Sequence, residues 1–205
     1  MCPRGEEPRH LRLGLAFSAV GTISDRCCLR VKDYGWLSVQ ELISCDRSHE
    51  GCKGGMPTDV YAWSIAHGIV PETCYPYKAQ QETCPTRCVD GSDWAKAHVC
   101  KCKGKVICKG VEGMKKCLQT GPISVFFNAY MDLAYYVSGI YHANKQTRRL
   151  GTHIIKCYGY SDKPEAHWLC TNSWGPTWGE KGGIRIVVNG GTDIETYDNT
   201  YCDPQ

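Results

Sequence analysis

The sequence predicts an α+β protein with two segregated lobes, and three observations lead there. The first half carries helical periodicity, the second half carries strand patterning, and a stretch dense in cysteine lies between them. The 205 residues suffice for one compact unit or for two small lobes. Apolar residues make up 42% of the chain, which supports a buried core and argues against disorder.

The elements follow in order. Leu15 to Arg26 places Leu15, Ala19, Val20 and Ile23 at helical spacing, with Ala16 and Gly21 small enough for close packing. A helix this apolar is expected to be central and buried. Leu37 to Ile43 reads as a short helix, with Ser38 as N-cap and Glu41 completing a capping box. A third helix is expected from Thr58 to His67, ending at Gly68. From Cys74 to Lys109 periodicity fades into a loop-rich stretch of Cys, Pro, Gly and Lys. Val111 to Gln119 reads as a last short helix. Strands are expected at 123–127, 153–160, 167–171 and 183–188.

Charge and cysteine narrow the function. The chain has 24 basic and 21 acidic residues, too even a balance for a nucleic-acid or anionic-membrane partner. No window approaches the roughly 18 apolar residues of a membrane span. Fifteen cysteines favour an oxidising compartment and a disulfide framework, with metal binding as the other reading. An odd count leaves at least one thiol free or paired between chains. Met1 to His10 is polar, with no apolar stretch of signal-peptide type, which sits uneasily with that compartment.

The chemistry concentrates in the second half. His153 heads an apolar run through Tyr160, and nineteen residues later comes Asn172-Ser173-Trp174-Gly175, then Trp178-Gly179 and Gly182-Gly183. A His on one strand and an Asn at the end of the next can meet. The amide oxygen would then orient the imidazole toward a nucleophile, with Trp174 shielding the bond from water. An isolated pair of this kind is more often a structural histidine and a turn asparagine.

The surroundings overturn that preference. The string N-S-W-G-x-x-W-G-x-x-G and the run Gly151-Thr152-His153-Ile154-Ile155 resemble the asparagine and histidine regions of the papain family of cysteine proteases. Gly51-Cys52-Lys53-Gly54-Gly55 resembles a cleft element of that family, and Ala16-Phe17-Ser18-Ala19-Val20 the start of its nucleophile-bearing helix. Ile23-Ser24-Asp25-Arg26 with Cys28, and Gly121 through Tyr141, are similar to the cathepsin B branch. The resemblance covers about residues 15 to 202 in the family's order.

The resemblance implies a papain-like two-lobe fold, with a helical left lobe at 15–120, a β-barrel-like right lobe at 121–205, and an atypical segment at 1–14 with the N-terminal strand missing. It implies a cysteine-type endopeptidase in which His153 and Asn172 are catalytic, Trp174 lies beside them, and Gly54, Gly55, Trp178 and Tyr197 contact substrate. Peptide or protein substrates, no cofactor and no resident metal, a monomer, and a lysosome-like or secreted location follow. It also implies the pairs Cys45–Cys84 and Cys74–Cys88, and leaves Cys28 and Cys52 without their usual partners. Nine residues between Cys74 and Cys84 leave no room for an occluding loop, so an open cleft is expected. Tyr197 at the base of the S2 pocket implies an apolar or aromatic P2 preference.

The start of the chain departs from the pattern. The family signature is C-G-[SA]-C-[WY], with His and Asn about 130–150 residues downstream. His153 and Asn172 lie 139 and 158 residues beyond position 14, yet Gly14 stands in the nucleophile position. Leu15 replaces the following Trp, Leu11 the first Cys, and Pro8 the Gln that donates to the oxyanion hole. Glycine cannot supply a thiolate, so the chain as written is expected to be inactive. Three origins are open: a non-catalytic pseudoprotease that binds peptides or partners, a damaged gene, or a shifted reading frame. Leu11-Arg12-Leu13 can be encoded CTG-CGG-CTC, which read one base later gives Cys-Gly-Ser. A separate alternative is a Cys-rich zinc module at His98, Cys100, Cys102 and Cys108.

Overall fold

The structure, a computed structural model, describes residues 7–47 and 56–205; for residues 7–13 and 15 it describes only the backbone. The chain divides into two compact units. One comprises residues up to Val106 together with Tyr201–Gln205, and the other runs from Ile107 to Thr200. The change of unit falls between Val106 and Ile107, and the last five residues belong to the first unit.

The first unit is built on α1 (Glu7–Arg30), longer at both ends than the 15–26 expected. Ala16, Ala19, Val20, Ile23 and Cys27 are buried, and so are Ser18, Thr22 and Ser24. A helix enclosed on nearly all sides needs small residues, and this one has them. α2 (Val39–Cys45) and α3 (Pro57–Ala66) contribute Leu42, Ile43, Val60 and Tyr61 to the same core. Ser38 caps α2 as expected, its Oγ accepting from the Glu41 amide at 3.1 Å. Glu41 does not complete the box. Its carboxylate turns inward to the Trp63 indole and the Val70 amide. α3 ends at a C-cap on His67, and Gly68 follows at φ +85°. A short helix, α4 (Trp94–Ala97), lies in the Cys-rich stretch.

Seven strands form one sheet in the order β1-β7-β2-β4-β5-β6-β3. They are β1 (Cys102–Cys108), β2 (Ile123–Tyr130), β3 (Ile140–Tyr141), β4 (Arg149–Ser161), β5 (His167–Thr171), β6 (Gly183–Val187) and β7 (Asn199–Pro204). The order ends in two free edges, so the sheet is open and does not close into the barrel-like lobe that was expected. In the second unit β2, β4, β5 and β6 pair antiparallel, and Val125, Phe127, Ile155, Trp168, Ile184 and Ile186 fill the core. α5 (Gly110–Leu118) adds Met114 and is joined to the end of β1 by Cys108–Cys117.

Candidate active site

The second unit places His153 and Asn172 together. His153 lies on β4 opposite Phe127 of β2 and is fully buried. Asn172 is the first residue after β5. The β5–β6 pairing carries on past Thr171↔Gly183, and the Asn172 amide donates to the Gly182 carbonyl at 2.8 Å. The backbone is thus fixed on the side away from β4. The Asn172 side chain reaches His153, with Nε2 to Oδ1 at 2.8 Å.

The hydrogen bonds define the protonation. The Ser173 amide, which can only donate, points to Asn172 Oδ1 at 2.8 Å. That contact identifies Oδ1 as the acceptor and settles the orientation of the side-chain amide. His153 Nε2 must then carry a proton. In the neutral ring Nδ1 is left as the basic nitrogen, the one able to take a proton from a nucleophile.

Aromatic rings enclose this pair. Trp174 stacks on the imidazole with centroids 5.4 Å apart and planes at 27°, and Phe127 meets it edge-on at 5.6 Å. Trp178 packs against Trp174 at 5.0 Å, and its indole donates to the Leu133 carbonyl at 3.3 Å. A wall of this kind lowers the local dielectric, which strengthens the His–Asn hydrogen bond. The glycines of the string permit the wall. Gly179 has φ +56°, and a Cβ there would lie 2.6 Å from the Gly183 carbonyl oxygen and 3.1 Å from the Tyr136 ring. Gly182 has φ +88° and would press on the Gly175 carbonyl at 3.3 Å.

The profile described as papain family cysteine protease matches residues 14–202. This chain belongs to the papain family. Cathepsin B-like CP3 and CP2 of Giardia intestinalis are 35% and 34% identical to it, over 84% and 91% of its length. The chain spans only 60% and 64% of those two proteins. Among solved structures, proCathepsin B S9 from Trypanosoma congolense matches with a TM-score of 0.85 at 26% identity, covering 94% of this chain and 68% of that one. The papain-like fold and the likeness to cathepsin B-like homologues are thereby established.

The other papain-family positions divide. Gly14 is a buried residue of α1, and Pro8 lies in the first turn of that helix, its side chain outside the described residues. Gly54, Gly55 and Cys52 also fall outside the described residues. Tyr197 donates its hydroxyl to Asn128 Oδ1 at 2.7 Å and tilts against Phe126. Asn128 faces Thr152 across the β2–β4 ladder, so Tyr197 is tied one register step from His153. Sequence reasoning missed that network, in which Arg149 also donates to Asn128 Oδ1 at 2.6 Å. The polar residues at 128, 149 and 197 are far apart in sequence, and only the register brings them together.

Twelve described cysteines form six disulfides. Cys45 pairs with Cys84 and Cys74 with Cys88. The others are Cys27–Cys100, Cys102–Cys202, Cys108–Cys117 and Cys157–Cys170. Cys28 carries a free, exposed thiol. These pairs overturn the zinc reading. Cys100, Cys102 and Cys108 are all oxidised, and Cys102 and Cys108 close opposite ends of β1, roughly 20 Å apart at strand rise. No metal-ligand cluster exists among the described residues.

Proposed function

We propose that this chain is a cathepsin-B-like peptidase homologue that retains the His–Asn half of the catalytic apparatus and, with Gly14 in the nucleophile position, does not hydrolyse peptide bonds by thiolate attack. The observation that carries the reading is the glycine at position 14 of a chain whose His153–Asn172 contact holds the imidazole in the tautomer a general base requires. A base in that state has work only if a thiol lies at position 14, and glycine offers none. Pro8, in the position of the oxyanion-hole glutamine, offers no side-chain donor, a further loss of about 10²–10³ in rate.

A second reading accompanies this one: the chain binds peptides or protein partners without cutting them. It is favoured by the state of the His153 surroundings, where the ring wall and the glycines that permit it persist. Six disulfides fit an oxidising compartment of the lysosome-like or secreted kind. No described helix is long and apolar enough to cross a membrane.

The test is direct. The full chain is incubated with peptidyl fluorogenic substrates and with a thiol-directed epoxide, and adducts are read by intact mass. The expected result is no turnover, with any epoxide adduct mapping to a thiol outside the site, such as the free Cys28. Turnover abolished by the epoxide refutes the reading of Gly14. Micromolar binding of uncleaved peptides supports the binding role, and resequencing across codons 1–15 decides whether a Cys-Gly-Ser string lies in another frame.

A further inference from the structure

Glu41 is the most deeply buried carboxylate among the described residues of the first unit, with no exposed surface. Three donors converge on it. Oε1 accepts from the Trp63 indole at 2.9 Å and faces His98 Nε2 at 2.8 Å, and Oε2 accepts from the Val70 amide at 2.7 Å. The other His98 nitrogen, Nδ1, faces the Trp94 carbonyl at 3.0 Å. Both ring nitrogens therefore point at atoms that can only accept. A neutral imidazole has one N–H and satisfies one of them; only the imidazolium satisfies both. A buried carboxylate also needs a counter-charge, and His98 lies at ion-pair distance to supply it.

We propose that His98 is a proton-operated clamp: as the imidazolium it pins α4 onto the buried Glu41 carboxylate, and loss of its proton loosens the segment from Val89 to Val99. The remaining proton stays on Nε2, toward the carboxylate, because that is the stronger acceptor. The Nδ1 lone pair then opposes the Trp94 carbonyl, and α4 is the part that moves. The motion is bounded. Cys88 and Cys100 are tied to Cys74 and Cys27, so the eleven residues between them are anchored at both ends. Release is a local opening and leaves the unit folded.

The surroundings fix the direction of the pH response. Among the described residues Glu41, from α2, is the charge acting on His98, and its hydrogen bond raises the proton affinity of the ring above the ordinary histidine value of 6.5. From α3, Trp63 shares the carboxylate, and the ring of His67, which follows the helix, lies tilted against Trp63 at 4.5 Å. On the loop side, Trp94 meets the His98 ring edge-on and Tyr75 lies beyond Trp94. A folded-state value above the unfolded one means that the clamp is fully closed below the ordinary histidine range. It is lost as pH rises through the folded-state value. The clamp is thus closed in an acidic compartment and opens only as pH rises through the folded-state value, above the ordinary histidine range.

Native-state hydrogen exchange of the full chain between pH 5 and 9 tests this. The reporters are the amides of Ile69 and Val99, which bond to each other's carbonyls at 2.9 and 3.1 Å beside the clamp. After correction for intrinsic exchange, their protection should fall about 10-fold across the range, the worth of one charge-assisted bond. In His98→Gln it should be low and flat. Should that variant fail to fold, an NMR titration of the native chain serves: His98 should titrate above 6.5, with the Val99 amide shift following it. Flat native protection, or a His98 midpoint at or below 6.5, overturns the proposal.

Discussion

Asn172→Ala isolates what the His–Asn contact contributes to the protein apart from turnover. The substitution removes Oδ1, which serves two donors at once, the His153 Nε2–H and the Ser173 amide. His153 is fully buried, so its N–H loses its partner where water does not reach, at a cost of about 1–3 kcal/mol. Ser173 is only half-buried, and its amide gains water in exchange, which holds that loss to about 1 kcal/mol. The expected destabilisation is about 2–4 kcal/mol, read as a lower urea midpoint at unchanged slope. The same substitution should unfix the tautomer. In the parent chain, nitrogen NMR of His153 should show the proton on Nε2; in Asn172→Ala both tautomers should be populated. Asn172→Asp, which keeps two acceptor oxygens, should retain the Nε2 proton and raise the proton affinity of the ring. A loss below about 0.5 kcal/mol with the tautomer unchanged would refute the assignment of Oδ1 as the anchor of the imidazole.

Further outcomes follow from the same geometry. Ser38→Ala removes the cap on α2 and the 2.6 Å bond that Ser38 Oγ donates to the buried Tyr75 carbonyl, and should lower stability by about 2–3 kcal/mol in urea titration. Replacing Cys102 and Cys202 with alanine opens a link of sequence separation 100, worth about 4.7 kcal/mol in chain entropy, whereas Cys108 and Cys117, separated by 9, contribute about 2.6 kcal/mol; non-reducing unfolding should rank them in that order. Gly179→Ala should cost about 1–3 kcal/mol and lower Tm more than Gly35→Ala, because both have positive φ but only Gly179 meets backbone within 3 Å.

The helices and core strands were legible because burial on one period writes itself into the sequence. β5 was expected at 167–171 and lies there, and β2 and β4 were found short of their full length. β1 was hidden. Its exposed positions are Lys103, Lys105 and Ile107, alternating with half-buried Gly104 and Val106, and a lysine run of that kind reads as solvated loop. β7 carries Asn, Asp and Pro, all poor strand formers, and its pairing to β2 is a single register contact, Ser124↔Thr200. The capping box was half right, since Ser38 obeyed local chemistry while Glu41 answered a tertiary demand no local pattern records. Cys27–Cys100 and Cys102–Cys202 could not be read either. Spacing constrains disulfide connectivity too little, and the same cysteines at short intervals imitate a chelate.

His153 and Asn172 pose a problem of inference that Gly14 sharpens. In an active papain-family enzyme the two residues are accounted for by catalysis. Here each also has a structural account that needs no reaction: His153 is buried between Phe127 and Trp174, and Asn172 satisfies its ring N–H and the turn at Ser173 together. Substituting either leaves a polar group stranded in the core, at a cost of several kcal/mol against a total stability of about 5–15 kcal/mol. Selection for folding alone would therefore keep the dyad in a chain that had lost its nucleophile. The presence of His153 and Asn172 carries little information about whether this chain cuts peptides, and the residue at position 14 carries nearly all of it. A glycine inside a helix is cheap to replace by comparison, at roughly 1 kcal/mol relative to alanine. Gly14→Cys is accordingly the substitution that separates the two accounts, since it restores a thiol without disturbing the dyad. Epoxide labelling at position 14 of that variant, mapped apart from the free Cys28 thiol, would show that the introduced thiol is activated. Its failure to label would count against any activation of a thiol at that position.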